Sequence, residues 1–78
     1  MSDYGIPVKP KRAQRNPWLV IKCEGNSTRI YRMRDSTWRW WWRVLLSDGR
    51  YACSVTRTRR DAVYRSNLAL VRLLGGER

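Results

Sequence analysis

Thr37-Trp38-Arg39-Trp40-Trp41-Trp42-Arg43-Val44-Leu45-Leu46 holds four of the five tryptophans of the chain. Read with the two-residue period of a β-strand, Trp38, Trp40, Trp42, Val44 and Leu46 share one face, while Arg39, Trp41, Arg43 and Leu45 share the other. The first set is apolar throughout and reads as a core wall. The second interleaves guanidinium groups with an indole. A slip of one residue would exchange the two sets, so strand register decides how the rest of the chain is read.

Downstream, Ser47-Asp48-Gly49 reads as a short hairpin loop whose glycine takes a positive φ. The next strand, Arg50 to Thr56, sets Tyr51, Cys53 and Val55 against Ala52, Ser54 and Thr56. Upstream, Asp35-Ser36-Thr37 turns the chain out of a strand from Thr28 to Arg34, with Tyr31 and Met33 on one face and Ile30, Arg32 and Arg34 on the other. A first strand, Trp18 to Glu24, is opened by Asn16-Pro17 and closed by Gly25-Asn26. Leu19, Ile21 and Cys23 form one of its faces, and Trp18, Val20 and Lys22 the opposite one.

The last element reads as a helix of about four turns. Thr58 is placed to cap its N-terminus, Asp61 completes a short capping box, and Gly75-Gly76 marks its stop. Ala62, Ser66, Ala69, Leu70 and Leu73 make a stripe that can lie on a sheet. Tyr64, Leu68 and Val71 add a second apolar stripe, read first as a wide core contact and, alternatively, as a homodimer or protein-binding surface. The expected fold is therefore α+β: a small antiparallel sheet of three to four strands packed on one C-terminal helix. Residues 17–78 form this single domain. Residues 1–16, with Pro7, Pro10, Lys9, Lys11, Arg12 and Arg15, read as a flexible basic arm.

Seventy-eight residues allow one small core, and large aromatic side chains offset the shortage of buried area. The charge is lopsided: Lys+Arg 17 against Asp+Glu 6, a formal net charge of +11, with fourteen of the basic residues arginine. Arginine suits planar, bidentate recognition of phosphate and of guanine edges. Such an excess in so short a chain points to nucleic acid as the partner. The basic residues are spread over strands rather than gathered on one amphipathic helix, which argues against a membrane surface.

Enzymatic chemistry is not expected. Histidine is absent, the acids are scattered into turns and caps, and there is no glycine-rich phosphate loop or nucleophile–base pair. Cys23 and Cys53 are too few for a structural zinc site in a chain without histidine, so neither metal nor cofactor is expected. Both thiols are expected to be reduced and buried. The first residues lack the apolar core of a signal peptide and no run approaches a membrane span, so the expected location is cytoplasmic.

If the helix covers the face bearing Trp38, Trp40 and Trp42, then Arg39, Trp41 and Arg43 lie on the open face, and Arg32 and Arg34 are expected to join them across the hairpin. Arg57, Arg59 and Arg60 at the helix start read either as a solvated helix end or as a phosphate clamp. The run Trp42-Arg43-Val44-Leu45-Leu46-Ser47-Asp48-Gly49-Arg50, continuing to Thr58-Arg59-Arg60-Asp61-Ala62, resembles the end of three-stranded-sheet-plus-helix DNA-binding modules. These include the arm-site-binding domain of tyrosine recombinases and the Apetala-type ethylene-response domain. That resemblance implies a sheet entering the major groove, with Arg39, Trp41 and Arg43 as readers. The run Thr58-Arg59-Arg60-Asp61-Ala62 is also similar to the start of the last helix of double-stranded-RNA-binding domains, whose first helix has no counterpart here. The expected function is non-catalytic binding of nucleic acid, duplex DNA before RNA or single strands, as a phage or mobile-element regulator. The alternatives are a small phage-type inhibitor docking on a host protein or ribonucleoprotein, and a ribosome-associated protein.

Overall fold

A computed structural model describes residues 9–34 and 39–76. Four strands, β1 (Leu19–Cys23), β2 (Asn26–Arg32), β3 (Trp40–Leu45) and β4 (Tyr51–Thr56), form one antiparallel meander in the order β1-β2-β3-β4. A single helix, α1 (Arg59–Val71), follows and continues into a wider π-type turn, Arg72–Gly76. The α+β fold expected from the sequence is the fold observed. Trp38 and the turn at Asp35–Thr37 lie outside the described residues.

Turn chemistry sets the two described hairpins. Glu24 and Gly25 both take positive φ (53° and 83°), the backbone of a two-residue turn whose twist matches that of its flanking strands. This starts β2 at Asn26, two residues earlier than expected. Ser47-Asp48-Gly49 makes the second loop, with Gly49 at φ 96° and the Leu46 amide donating to the Arg50 carbonyl at 2.8 Å. The two loops are tied together, because the Ser47 amide donates to Asn26 Oδ1 at 2.9 Å.

Thr58 caps α1 as its position required: its Oγ1 accepts from the Asp61 amide at 3.1 Å. Gly75, at φ 112°, takes the chain out of helical geometry. Between these ends the helix lies mainly over β3 and β4. It buries Ala62 and Ser66 and packs Ala69, Leu70 and Leu73 against a core of Ile30, Trp42, Val44 and Leu46. The stripe expected to face the sheet does so. Tyr64 and Val71 of the second stripe point outward, at 62% and 58% exposure, and Leu68 is half-buried. That stripe is therefore not a core contact.

The opposite face of the sheet is not left to water. Trp41, expected to be exposed, is only 4% exposed and packs with Tyr31 and Ala13. Residues 9–14, expected to belong to a free arm, fold back over it. Ala13 bridges Met33, the Gln14 amide donates to Arg32 O at 2.8 Å, and the Arg34 amide donates to Arg12 O at 2.7 Å. Lys9 closes this segment by donating from Nζ to Gln14 O at 3.0 Å. The cause is apolar: an indole buries on the order of 200 Å², and at ~25 cal/mol per Å² its exposure would forgo several kcal/mol. Residues 1–8 of the expected arm lie outside the described residues.

Cys23 and Cys53 are free thiols and both are exposed, contrary to the expected burial. They sit on β1 and β4, the two edge strands, where one sheet neighbour is missing and less surface is covered.

Candidate functional site

Register distributes the basic residues. β2 pairs with β3 so that Tyr31 opposes Trp41, Arg29 opposes Arg43, Ile30 opposes Trp42 and Arg32 opposes Trp40. Directly opposed residues share a face. Arg32 therefore belongs to the helix side with Trp40 and Trp42, not to the side of Trp41 and Arg43. Arg34, two residues on and exposed, lies past the end of β2. The five-residue surface of Arg32, Arg34, Arg39, Trp41 and Arg43 expected from the sequence is thus not assembled. Its indole is buried and its arginines are divided.

A different assembly takes its place at one end of the sheet. β2 ends, β3 begins and β4 ends at this edge, since Arg32, Trp40 and Thr56 lie in one cross-strand row. Arg39 is fixed there by two backbone bonds, its carbonyl accepting from the Met33 amide (2.6 Å) and its amide donating to Thr56 O (3.1 Å). Arg12 is brought to the same end by its carbonyl contact with the Arg34 amide. Arg57, Arg59 and Arg60 arrive in the link from β4 to α1 and the first helical residues. Arg12, Arg32, Arg34, Arg39, Arg57, Arg59 and Arg60 are all exposed. Among the described residues, Asp61 is the acid near this rim.

Among the described residues the exposed indole of the rim is Trp18, expected from the sequence only as a strand residue. It is 45% exposed, meets Trp40 edge-on at 5.5 Å between centroids, and carries the Arg59 guanidinium 4.9 Å above its ring. Trp18 precedes β1 rather than lying in it, so strand periodicity did not reveal its role. Its neighbour Pro17 was the available signal that the local period breaks there.

The remaining candidates are placed as follows. Arg43 is half-buried on the face away from the helix, its guanidinium carbon 6.0 Å from the centre of the Trp41 ring. Lys9, half-buried, lies 5.3 Å over the Tyr31 ring, holding the covering segment rather than standing free. Lys11 and Arg15 are exposed on that segment. Arg50 is held in the β3–β4 loop, its Nε 2.8 Å from Asp48 Oδ2. The Arg50 amide, and less strongly the Arg50 side chain, holds the Asp48 carboxyl below its ordinary pKa of 3.8 against the opposing effect of desolvation.

Among the described residues no three His, Cys, Asp or Glu side chains are grouped to share a metal ion, and no helix is long and apolar enough to cross a membrane. No family model, curated protein or solved structure matches the chain.

Proposed function

We propose that this chain is a non-catalytic nucleic-acid-binding protein that grips the phosphate backbone of duplex DNA with the arginine-lined end of its sheet. The observation that supports this most is convergence: the covering segment, the β2 and β3 ends and the β4–α1 link each deliver arginines to one rim. So dense a set of like charges is self-repulsive, and a polyanion relieves it. The duplex is favoured over single strands because, among the described residues, the rim offers one exposed indole, Trp18, already faced by Arg59, whereas single-strand platforms stack successive bases on several aromatics. The groove-reading role that the resemblance implied for Trp41 is replaced here by phosphate contacts and by Trp18.

The test is fluorescence anisotropy with duplex DNA, single-stranded DNA and duplex RNA over a salt series. Duplex affinity should fall with log salt at a slope near −0.9 per neutralised phosphate. An Arg39→Gln/Arg57→Gln/Arg59→Gln variant should lose at least tenfold in affinity and show a shallower slope. No binding to any of the three nucleic acids at low salt overturns the class, and equal binding by the variant overturns the rim.

A second reading has its own support. Tyr64 and Val71 are exposed on the outer face of α1 with Leu68 beside them, and exposed apolar groups at helical spacing suit a protein partner such as a host factor or a second copy. Association through this stripe should be nearly independent of salt and be lost on Tyr64→Glu.

A further inference from the structure

We propose that β1 pairs edge to edge with the β1 of a second copy of this chain, antiparallel and centred on Ile21, so that two four-stranded sheets join into one. This goes beyond the nucleic-acid reading and stands without it. β1 ends the strand order, so along its outer side alternate backbone N–H and C=O groups have no strand to bond among the described residues. Its five residues, Leu19-Val20-Ile21-Lys22-Cys23, include one charge, and the last four are exposed. Register places Val20 on the face away from the helix, with Arg29 and Arg43, and Ile21 on the helix side, with Thr28 and Val44. They are 41% and 43% exposed, so both faces of this edge carry aliphatic area. The other edge, β4, exposes Cys53 and Ser54 along its middle and runs directly into Arg57, which suits strand addition less well.

Symmetry and charge together select the register. Two copies of one strand meet antiparallel about a two-fold axis perpendicular to the sheet. That axis keeps both helices on the same side and lets only residues of like face oppose each other. Centring on Lys22 sets Lys22 against itself. Centring on Val20 sets Lys22 against Trp18, over whose ring the Arg59 guanidinium stands at 4.9 Å. Centring on Ile21 sets Lys22 against Val20, where its alkyl stem covers the exposed valine. The same register brings Glu24, exposed at the β1–β2 turn, to Trp18 and Arg59 of the other copy. Of the three, this one alone sets unlike charges together, and the two-fold axis makes the contact twice.

The end of the helix contributes to the same seam. Ile21, Leu70 and Leu74 line one hollow beside β1, and Leu74 is 56% exposed. With both helices on one side, Ile21 and Leu74 of each copy come together over the axis, forming an apolar patch that neither chain has alone. Burial of this patch and the row of new backbone bonds oppose the repulsion between two chains of net charge +11.

Sedimentation velocity on the full chain, from micromolar to millimolar at physiological ionic strength, should show a reversible monomer–dimer equilibrium. Ile21→Lys sets two like charges at the axis and should weaken the dimer at least tenfold, with circular dichroism reporting that the variant is folded. Glu24→Lys should weaken it by a smaller factor, and adding Arg59→Glu should restore it, a swap specific to the register centred on Ile21. In a chain carrying Cys23→Ser and Cys53→Ser, Ile21→Cys should cross-link to a dimer under mild oxidation, and Val20→Cys should not. Tyr64→Glu should leave the dimer unchanged, which separates this seam from the outer stripe of α1. A monomer at every concentration, a dimer unaffected by Ile21→Lys, or one dissolved by Tyr64→Glu instead, overturns the proposal.

Discussion

The two sides of the sheet are both dry where their tryptophans sit, yet they are dried by unlike means. On one side a capped helix lays Ala62, Ser66, Ala69, Leu70 and Leu73 against Ile30, Trp42, Val44 and Leu46. On the other a few residues before the first strand lay Ala13 over Tyr31 and Trp41, helped by Met33 and Val55. Adjacent residues of β3, Trp41 and Trp42, thus anchor separate clusters. The helix side is held by a continuous element with its own hydrogen-bond ladder. The other side is held by a short segment with few backbone bonds, so it should open first and alone.

The largest effect that would sharpen this contrast is expected for Trp42→Ala. Truncating a buried indole costs about 3–5 kcal/mol, a large share of the stability of a small domain, so urea melts followed by circular dichroism should show global loss of structure. Trp42→Phe should be much milder, because the Trp42 Nε1 donor is buried with no protein acceptor and phenylalanine removes that donor.

Next in size is Ala13→Leu, which overfills a site only 2% exposed and should cost about 1–3 kcal/mol. Hydrogen exchange should lose protection at the Gln14 and Arg34 amides, which bond across this segment, while the Ile30 and Val44 amides keep theirs. Equal loss at all four would show that the two clusters are one cooperative unit and break the comparison.

Thr58→Ala should cost about 1 kcal/mol through the lost bond to the Asp61 amide. Its exchange signature should be confined to the first turn of α1 and spare Ala13.

The smallest effect concerns Asp48, which belongs to neither cluster. Its folded carboxyl lies below 3.8, chiefly through the Arg50 amide. Its contribution is complete above the unfolded pKa and is lost as pH falls through the lower, folded value. Because the group is exposed, Asp48→Asn should lower Tm only slightly at pH 7, and the difference from wild type should vanish as pH falls below the folded value.

Much of the molecule was legible because it is local. The alternation of residues 38–46 correctly separates Trp40, Trp42, Val44 and Leu46 from Trp41 and Arg43. Thr58 and Asp61 carry their cap in their spacing, and Ser47-Asp48-Gly49 its loop. The candidate surface was less legible. Alternation fixes which residues of β2 share a face, but not which of its two faces lies beside Trp41. Ile30 decides this by burying against the helix with Trp42, and that sends Tyr31 to Trp41 and Arg32 to the other side. Trp18 lies outside any strand period, and its packing on Trp40 is a contact between segments distant in sequence.

What the sequence by itself determined is residues 40–45 as a strand whose alternate residues face opposite sides, four strands and a capped helix, and the large excess of arginine. Side-chain period, turn residues and charge are properties of neighbours along the chain, and they survive whatever the strands pair with. Only the tertiary structure decided that Trp41 is covered rather than displayed, that Arg29 stands against Arg43, and that arginines from distant segments reach one end of the sheet, with Arg59 over Trp18. Those outcomes depend on cross-strand register and on where residues 9–14 settle, and both are chosen by the apolar area buried across the whole fold.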